Sequence, residues 1–170
     1  MTNYELQLLS EFSYNPACLE EFLQEFPIDV RNDSAWLLGE LELASKSGND
    51  DITEMLIDLI RLLDDSPTII EVLNHLLIKS SHQSHQEIAM RLQKVKSPST
   101  VLYVRKALET DFDYLAYTCS DDRTVAKWFS WILFEIGTPE ALALMKEYTN
   151  SSNEGISAEM QYRLSKVHLQ

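Results

Sequence analysis

The amino-acid sequence predicts an all-α fold in a single domain, residues 1–170. Four glycines and five prolines are too few for the many tight turns of a sandwich or barrel, whereas Leu, Glu, Ala, Lys and Gln, which favour helices, are common. A hydroxyl residue followed by proline, the pattern of a helix start, also recurs along the chain. The motif stands at Ser66-Pro67, Ser97-Pro98 and Thr138-Pro139. We expect about 9–11 helices of ordinary length.

Residues 1–30 predict two N-terminal capping helices. Apolar side chains recur at helical spacing over residues 2–12 and again over residues 16–26. Between these segments, Asn15-Pro16 offers a capping residue followed by a proline suited to the first helical position. The pair would close the N-terminal end of the fold.

Residues 33–65 predict a helix pair. The first helix is expected to begin at Asp33-Ser34 and to end at Ser47-Gly48-Asn49, where glycine favours a helix stop. The second helix, over residues 50–63, has an apolar stripe on one face and a line of acids on the opposite face. The acids in this line are Asp51, Glu54 and Asp58.

Residues 66–150 predict a repeated helix pair. The prolines of the capping motif are 31 and 41 residues apart, and the third residue after each is apolar: Ile70, Val101 and Leu142. The 10 additional residues of the second interval fall on TDFDYLAYTC, residues 110–119, which predicts an insertion. A capping helix over residues 153–168 would close the array. Repeated antiparallel helix pairs indicate an alpha-solenoid, in which each pair buries its apolar faces against its neighbours.

The segment WILFEIGTPEALALM, residues 131–145, resembles the HEAT repeats of the bacterial lyase-type class. The resemblance extends over residues 66–150 and departs from the family at Phe134, where glycine or alanine is usual, and at Lys94 to Lys96, where Ile-Gly is usual. It implies a right-handed alpha-solenoid of HEAT-like antiparallel helix pairs. Because such solenoids present a curved surface, their usual role is protein binding.

The negative charge is concentrated in the first half of the chain. Residues 1–80 contain 16 acidic and 4 basic residues, while residues 81–170 contain 11 acidic and 10 basic residues. An acidic field repels nucleic acid and anionic membranes and attracts a basic partner, although high charge also serves solubility. The sequence shows no secretion signal at its start and no apolar run of roughly 18 residues. We therefore expect a cytoplasmic protein that binds neither membrane nor nucleic acid.

The residues capable of chemistry show no pattern typical of an active site. The sequence contains no phosphate-binding glycine loop, serine elbow or HExxH motif, which predicts a chain that is not an enzyme and takes no cofactor. His82 and His85 could share one helix face, but a polar helix start is favoured over a metal site because no third ligand is near. Cys18 and Cys119 are expected to be reduced, buried thiols.

Three functions are consistent with these features. In the first, the chain is an immunity protein that neutralises a basic toxin, such as a nuclease from a contact-dependent inhibition or Rhs-type locus, by charge-steered capture. The alternatives are a non-catalytic scaffold or adaptor and, from the lyase-type resemblance, a chromophore lyase subunit. We expect a monomer, or a 1:1 complex with the partner.

The predicted partner contacts are acids of the first half and residues of the insertion, where tyrosine can anchor and carboxylate can pair with Lys or Arg. Trp128 is added to these contacts. Its spacing of three residues from Trp131 on one helix could form a stacking platform for nucleic acid only with exposed rings beside cations, and packing between helices is the favoured role of at least one of the two. The predicted contacts are Glu40, Glu42, Asp50, Asp51, Glu54, Asp58, Asp111, Asp113, Tyr114, Tyr117 and Trp128.

Overall fold

The computed structural model describes residues 1–110 and 112–167. Over these residues it contains ten α-helices, two short 3₁₀ helices and no β-strand, which confirms the predicted all-α class. None of the helices in this part of the chain is long and apolar enough to cross a bilayer. The α-helices are α1 (Asn3–Tyr14), α2 (Leu19–Glu25), α3 (Ser34–Ser47), α4 (Asp50–Leu62), α5 (Pro67–Leu76), α6 (His85–Val95), α7 (Thr100–Leu108), α8 (Asp122–Ile136), α9 (Pro139–Tyr148) and α10 (Glu154–Val167). The 3₁₀ helices span Pro16–Cys18 and Asp113–Thr118.

The chain divides into two compact units, Met1–Val72 and Leu73–Gln170, which we call the N-terminal unit and the C-terminal unit. In the N-terminal unit, α4 packs against α1 and α3, and α1 packs against α2. A run of aromatic rings links the predicted capping helices to α3. It consists of Phe12, Phe22, Phe26 and Trp36, with successive ring centroids 4.7, 4.8 and 5.4 Å apart.

The helix boundaries of the N-terminal unit follow local capping signals. The Asp33 carboxylate accepts a hydrogen bond from the backbone N–H of Trp36 at 2.8 Å, and the Asn49 side chain accepts one from Ile52 at 3.2 Å. Gly48 ends α3 in the left-handed conformation, with φ of 66°, which a residue without Cβ adopts at little cost. The predicted start of α3, its end and the start of α4 are confirmed.

Helix α8 is the centre of the C-terminal unit. It contacts α6, α7, α9 and α10, and its side chains Phe129 and Leu133 are buried. The ring of Phe112, from the predicted insertion, stacks on Phe129 at a centroid separation of 5.4 Å. The first turns of α8 and α10 meet at Gly155, where a Cβ would lie 2.7 Å from the backbone nitrogen of Arg123. The absence of a side chain at this position therefore permits the close contact between α8 and α10.

The hydroxyl–proline motif begins a helix at two of its three positions. At Ser66-Pro67 and Thr138-Pro139, the proline is the first residue of α5 and of α9. At Ser97-Pro98 the expected helix start is wrong, because α7 begins only at Thr100. The Ser97 hydroxyl forms a hydrogen bond of 2.9 Å with the Ser99 hydroxyl and caps no helix.

Lys96 occupies the position where the HEAT resemblance leads us to expect glycine. It ends α6 in the left-handed conformation, with φ of 56°, and Gly137 ends α8 in the same way with φ of 65°. This conformation costs a residue with a side chain roughly 1–2 kcal/mol. Lys96 Nζ lies 2.5 Å from a carboxylate oxygen of Glu135. The two helices thus end with the same backbone turn although their sequences differ there.

Candidate functional site

The net charge of the chain lies entirely in the N-terminal unit. Met1–Val72 contains 16 acidic and 3 basic residues, a net charge of −13, whereas Leu73–Gln170 contains 11 acidic and 11 basic residues, a net charge of zero. A field of this sign attracts basic partners over a distance set by the ionic strength. Charge steering by this chain would therefore act through the N-terminal unit.

Helix α4 presents the predicted line of acids only in part. Asp50, Asp51 and Glu54 are exposed, and the two aspartates lie in the opening turn, where carboxylates complement the helix dipole. Asp58 is half-buried, and its carboxylate forms an ion pair with Arg61 one turn along the helix. Three of the four predicted contacts on α4 thus lie open on the surface.

The two predicted contacts on α3 are less open than expected. The Glu40 side chain is 14 % exposed and accepts a hydrogen bond of 2.6 Å from the Met1 amino group. Glu42 is half-buried, and Lys46, four residues along the same helix, places its Nζ 3.3 Å from the Glu42 carboxylate. The expectation of exposed acids is wrong at Glu40, which the Met1 amino group covers in part, whereas the Glu42 side chain is 42 % exposed beside its Lys46 partner.

The N-terminal unit also contains an acidic groove that sequence reasoning missed. The groove has a volume of about 230 Å³ and is lined by residues of α1 and of the segment that ends with α2. Two of its lining side chains, Phe12 and Phe22, are buried, and the three carboxylates of Glu11, Glu21 and Glu25 are exposed. Helical spacing places Glu21 and Glu25 on one face, but the approach of Glu11 depends on how two helices pack.

The free thiol of Cys18 lines the same groove. Partial burial, and then the charge of Glu21 and a hydrogen bond to it, raise the pKa of the Cys18 thiol, so the thiol stays protonated and is a poor nucleophile. Cys119 is also free and is exposed. The expectation of unpaired thiols is confirmed. The expectation of buried thiols is wrong, because each cysteine lies at the end of a short 3₁₀ helix and not within the helix packing.

The hydroxyls of both tyrosines of the insertion have hydrogen-bond partners within the protein. Tyr114 is half-buried, its hydroxyl donates to the backbone carbonyl of Leu77 at 3.0 Å, and burial raises the pKa of Tyr114 above its usual range. The Tyr117 hydroxyl lies 2.9 Å from Nδ1 of His85. Both hydroxyls therefore help to hold the insertion against its own unit. Tyr114 is less open than its predicted role as a partner contact requires, whereas Tyr117 stays 36 % exposed. Asp113 is exposed as predicted, and Asp111 lies outside the described residues.

His82 and His85 form a buried, stacked pair with ring centroids 4.0 Å apart. Nε2 of His82 lies 2.9 Å from the carbonyl oxygen of Leu76, and Nε2 of His85 lies 2.6 Å from that of Lys79. Since a carbonyl oxygen only accepts, both Nε2 atoms donate. The expected helix start is confirmed, because α6 begins at His85, and both imidazoles are buried there.

Both histidines are held in the neutral form. Nδ1 of His82 accepts a hydrogen bond from the Ser84 backbone N–H at 3.1 Å, and Nδ1 of His85 faces the Tyr117 hydroxyl. Burial lowers the pKa of His82, and burial together with the neighbouring His82 lowers the pKa of His85 to about 3. Within residues 1–110 and 112–167, no group of three His, Cys, Asp or Glu side chains is arranged to hold a metal ion. The pair is therefore a hydrogen-bonding element between the chain that follows α5 and the insertion.

Trp128 and Trp131 are both half-buried on α8, and Trp131 belongs to a second cleft. This cleft has a volume of about 610 Å³ and lies between α8 and α10. The Arg163 guanidinium stacks on the Trp131 ring, 3.7 Å from its centroid, and Tyr162 adds a second aromatic side chain. Trp128 does not line the cleft, and neither tryptophan has the fully exposed ring that a stacking platform requires.

A buried ion pair lies beside the cleft. Glu159 and Arg163 are on successive turns of α10, their side chains are 1 % and 4 % exposed, and Nη2 of Arg163 donates to the Glu159 carboxylate at 2.8 Å. The Ser130 hydroxyl of α8 donates to the same carboxylate oxygen at 3.0 Å. The pair thereby joins α10 to α8. Four-residue spacing of an acid and a base is visible in the sequence, but their burial follows only from the position of α8.

Comparison with known proteins gave no similarity from which a function could be transferred: no family model, no curated protein and no solved structure matches the chain. The resemblance to HEAT repeats thus rests on the residues quoted for it.

Proposed function

We propose that the chain is a non-catalytic binding protein whose N-terminal unit captures a basic protein domain. The observation that supports this function is the charge distribution: a net charge of −13 within 72 residues beside a unit with a net charge of zero. Negative charge that served only solubility could be distributed over both units, whereas here it is confined to one. A concentrated field accelerates the capture of an oppositely charged protein.

The binding surface consists of two acidic sets in the N-terminal unit. The first is the exposed trio Asp50, Asp51 and Glu54 on α4. The second is the acidic groove, which combines the carboxylates of Glu11, Glu21 and Glu25 with two buried phenylalanines. An arginine from the partner suits this groove, because a guanidinium pairs with carboxylates in a forked geometry and stacks on aromatic rings. The occupant is therefore an arginine-rich or lysine-rich surface.

The biological role that fits such a protein is immunity against a toxin that acts on nucleic acid, since the active groove of a nuclease is positively charged. Rapid association matters for this role, because the inhibitor must bind before damage occurs. The proposal includes a cytoplasmic location, a 1:1 complex with the toxin domain and no binding of nucleic acid. A scaffold that recruits a basic protein without inhibiting it is the alternative that the experiment below separates.

The proposal for the architecture is a right-handed HEAT-like solenoid. In the C-terminal unit, α8 contacts both its neighbours in sequence and the helices next beyond them, α6 and α10. This pattern supports a stack of helix pairs, because each pair of a solenoid packs on the next. The shared left-handed turns at Lys96 and Gly137 also support a repeated unit.

The test is association with a basic nuclease toxin domain encoded next to the gene, measured by stopped-flow or surface plasmon resonance at several salt concentrations. The variant Glu21→Lys/Glu25→Lys/Glu54→Lys should associate at least about tenfold more slowly at low salt and show a flatter salt dependence. The matched control Glu109→Lys/Glu140→Lys/Glu154→Lys reverses three exposed acids of the C-terminal unit and should change the rate less than about twofold, because local charge governs steering.

Survival of cells that co-express the toxin domain provides the second readout. Protection by the chain, lost in the N-terminal variant and kept in the control, supports immunity. Binding without protection indicates a scaffold. Equal association rates for both variants would overturn the proposed surface.

A further inference from the structure

We infer that the cleft between α8 and α10 in the C-terminal unit binds a small aromatic molecule carrying a phosphate or carboxylate group. Three cations line this cleft, Arg123, Lys127 and Arg163, and aromatic side chains accompany them. The site lies outside the acidic unit and does not depend on the function proposed above.

The two carboxylates that line the cleft are already engaged. Asp121 caps α8 and accepts hydrogen bonds from the backbone N–H and the hydroxyl of Thr124 at 2.9 and 3.0 Å. Glu159 accepts hydrogen bonds from Arg163 and Ser130. Of the three cations, Arg163 therefore has a close carboxylate partner in Glu159, whereas Arg123 and Lys127 have none within 3.5 Å among the described residues.

The cations at the mouth of the cleft are available to a ligand. The Arg123 side chain is 60 % exposed, and its nearest carboxylate contact is Glu159 at 4.0 Å, the outer limit of an ion pair. Lys127 is exposed and forms no ion pair with any residue that the structure describes. Both side chains project from the first two turns of α8, so they can converge on one anionic group.

Arg163 supplies the observation that points to a ligand. Its side chain is 4 % exposed, and its Nε–H has no hydrogen-bond acceptor among the described residues. A buried donor without an acceptor is unfavourable, so an anionic oxygen that reaches this side chain removes a cost already present in the free protein. Stacking on Trp131 fixes the plane of the guanidinium before the ligand arrives.

The size and walls of the cleft define the rest of the ligand. A volume of about 610 Å³ lies within the range of small-molecule sites. Tyr162 is 47 % exposed and lines the cleft beside Trp131, which provides aromatic surface for a planar ring. The ligand class is thus an aryl or heteroaryl group bearing one phosphate or carboxylate.

The test is a calorimetric titration of the full chain at low salt with phenyl phosphate, benzoate and phenol. At least one of the two anions should bind with a Kd in roughly the millimolar range or tighter. Phenol should bind at least about tenfold more weakly than that anion, because it lacks the charge that the three cations recognise. The better of the two anions identifies the group. Equal binding of phenol, or binding of neither anion, would overturn the inference.

Variants separate this cleft from other basic positions. Arg123→Gln/Lys127→Gln changes two exposed residues and should weaken the anion at least about tenfold. Lys94→Gln/Lys146→Gln removes the same charge elsewhere in the unit and should leave the Kd unchanged. An equal loss in both variants rules out the site.

The role of Arg163 is tested without a substitution, because removing its guanidinium would leave the buried Glu159 carboxylate without its cation. In nitrogen-15 spectra, the Arg163 Nε–H signal should shift on saturation with the anion. A shift confined to other arginines would contradict the assignment.

Discussion

The two units place their polar groups in opposite ways. The N-terminal unit carries a net charge of −13 and buries only two polar side chains, Glu5 and Thr53. The C-terminal unit has no net charge, yet it buries seven described polar or charged side chains: Asn74, His82, His85, Thr100, Ser130, Glu159 and Arg163. Exposed charge acts over a distance and costs little to rearrange, whereas buried polar groups fix one geometry. The N-terminal unit is thus suited to attraction, and the C-terminal unit to a shaped site.

The largest contrast concerns ion pairs. Arg163→Met should lower the free energy of unfolding by about 3–5 kcal/mol, because it strands the buried Glu159 carboxylate. Arg31→Met breaks the exposed pair with Glu20 in the N-terminal unit and should cost less than about 1 kcal/mol. Urea denaturation measures both. The double variant Arg163→Met/Glu159→Met should recover most of the loss, and a cost below about 1 kcal/mol for Arg163→Met alone would contradict the assigned burial.

The second contrast is the response to acid. All four histidines of the sequence lie in Leu73–Gln170. The folded pKa of His85, about 3, is below the unfolded value of about 6.5, so the unfolded state takes up more protons as the pH falls through this window. The contribution of neutral His85 to the free energy of unfolding is present in full above about pH 6.5 and declines below it. Between pH 7 and 5, His85 alone should remove about 2 kcal/mol of unfolding free energy, and His82 acts in the same direction.

The variant His82→Gln/His85→Gln supplies the control for the acid response. Glutamine can still donate a hydrogen bond but does not titrate in this range, so the variant should lose less stability than the wild type from pH 7 to 5. Urea midpoints at the two pH values measure the difference. Parallel losses in the two proteins would show that the histidines are not the cause.

The third contrast compares the same added methyl group in each unit. Gly155→Ala should destabilise the C-terminal unit by about 1–3 kcal/mol, because the new Cβ would lie 2.7 Å from backbone. Gly39→Ala, in the middle of α3, meets nothing within 4 Å and should stabilise the N-terminal unit by about 0.5–1 kcal/mol. Thermal unfolding of the two variants should shift in opposite directions. A shift of the same sign would refute the close approach at Gly155.

The smallest expected effect lies in the acidic groove. Glu25 is the last residue of α2, where a negative charge opposes the helix dipole, and Glu21 is four residues before it. Glu25→Gln should therefore stabilise the chain by about 0.3–1 kcal/mol at low salt, with the gain disappearing at about 1 M salt. The same change should weaken capture of a basic partner. A stabilisation that persists at high salt would indicate a cause other than charge.

Local signals in the sequence predicted much of the secondary structure. Asp33, Gly48 and Thr138 each act through residues close in sequence, so their roles are readable from spacing. At Ser97-Pro98 the same reasoning failed, because the Ser97 hydroxyl bonds to Ser99 and the helix starts later. Lys96 shows the reverse case, in which the expected turn forms without the expected glycine.

The exposure of a predicted site residue could be read from the sequence only where the two faces of a single helix determine it. Asp51 and Glu54 are open because one face of α4 packs and the other does not. His82 and Tyr114 are engaged with the backbone carbonyls of Leu76 and Leu77, which no spacing rule anticipates. The acidic groove and the cleft between α8 and α10 each combine residues from separate helices, so their assembly is a property of the packing.

The two free cysteines give each unit one native position for a spectroscopic label. Cys119 is exposed, whereas the pKa of Cys18 is raised by partial burial and by Glu21, so maleimide or nitroxide reagents should modify Cys119 first and Cys18 second. Sequential labelling then yields a donor–acceptor pair without any substitution. Such a pair reports the separation of the two units in solution. Because Cys18 lines the acidic groove, protection of this thiol also reports occupancy by a partner.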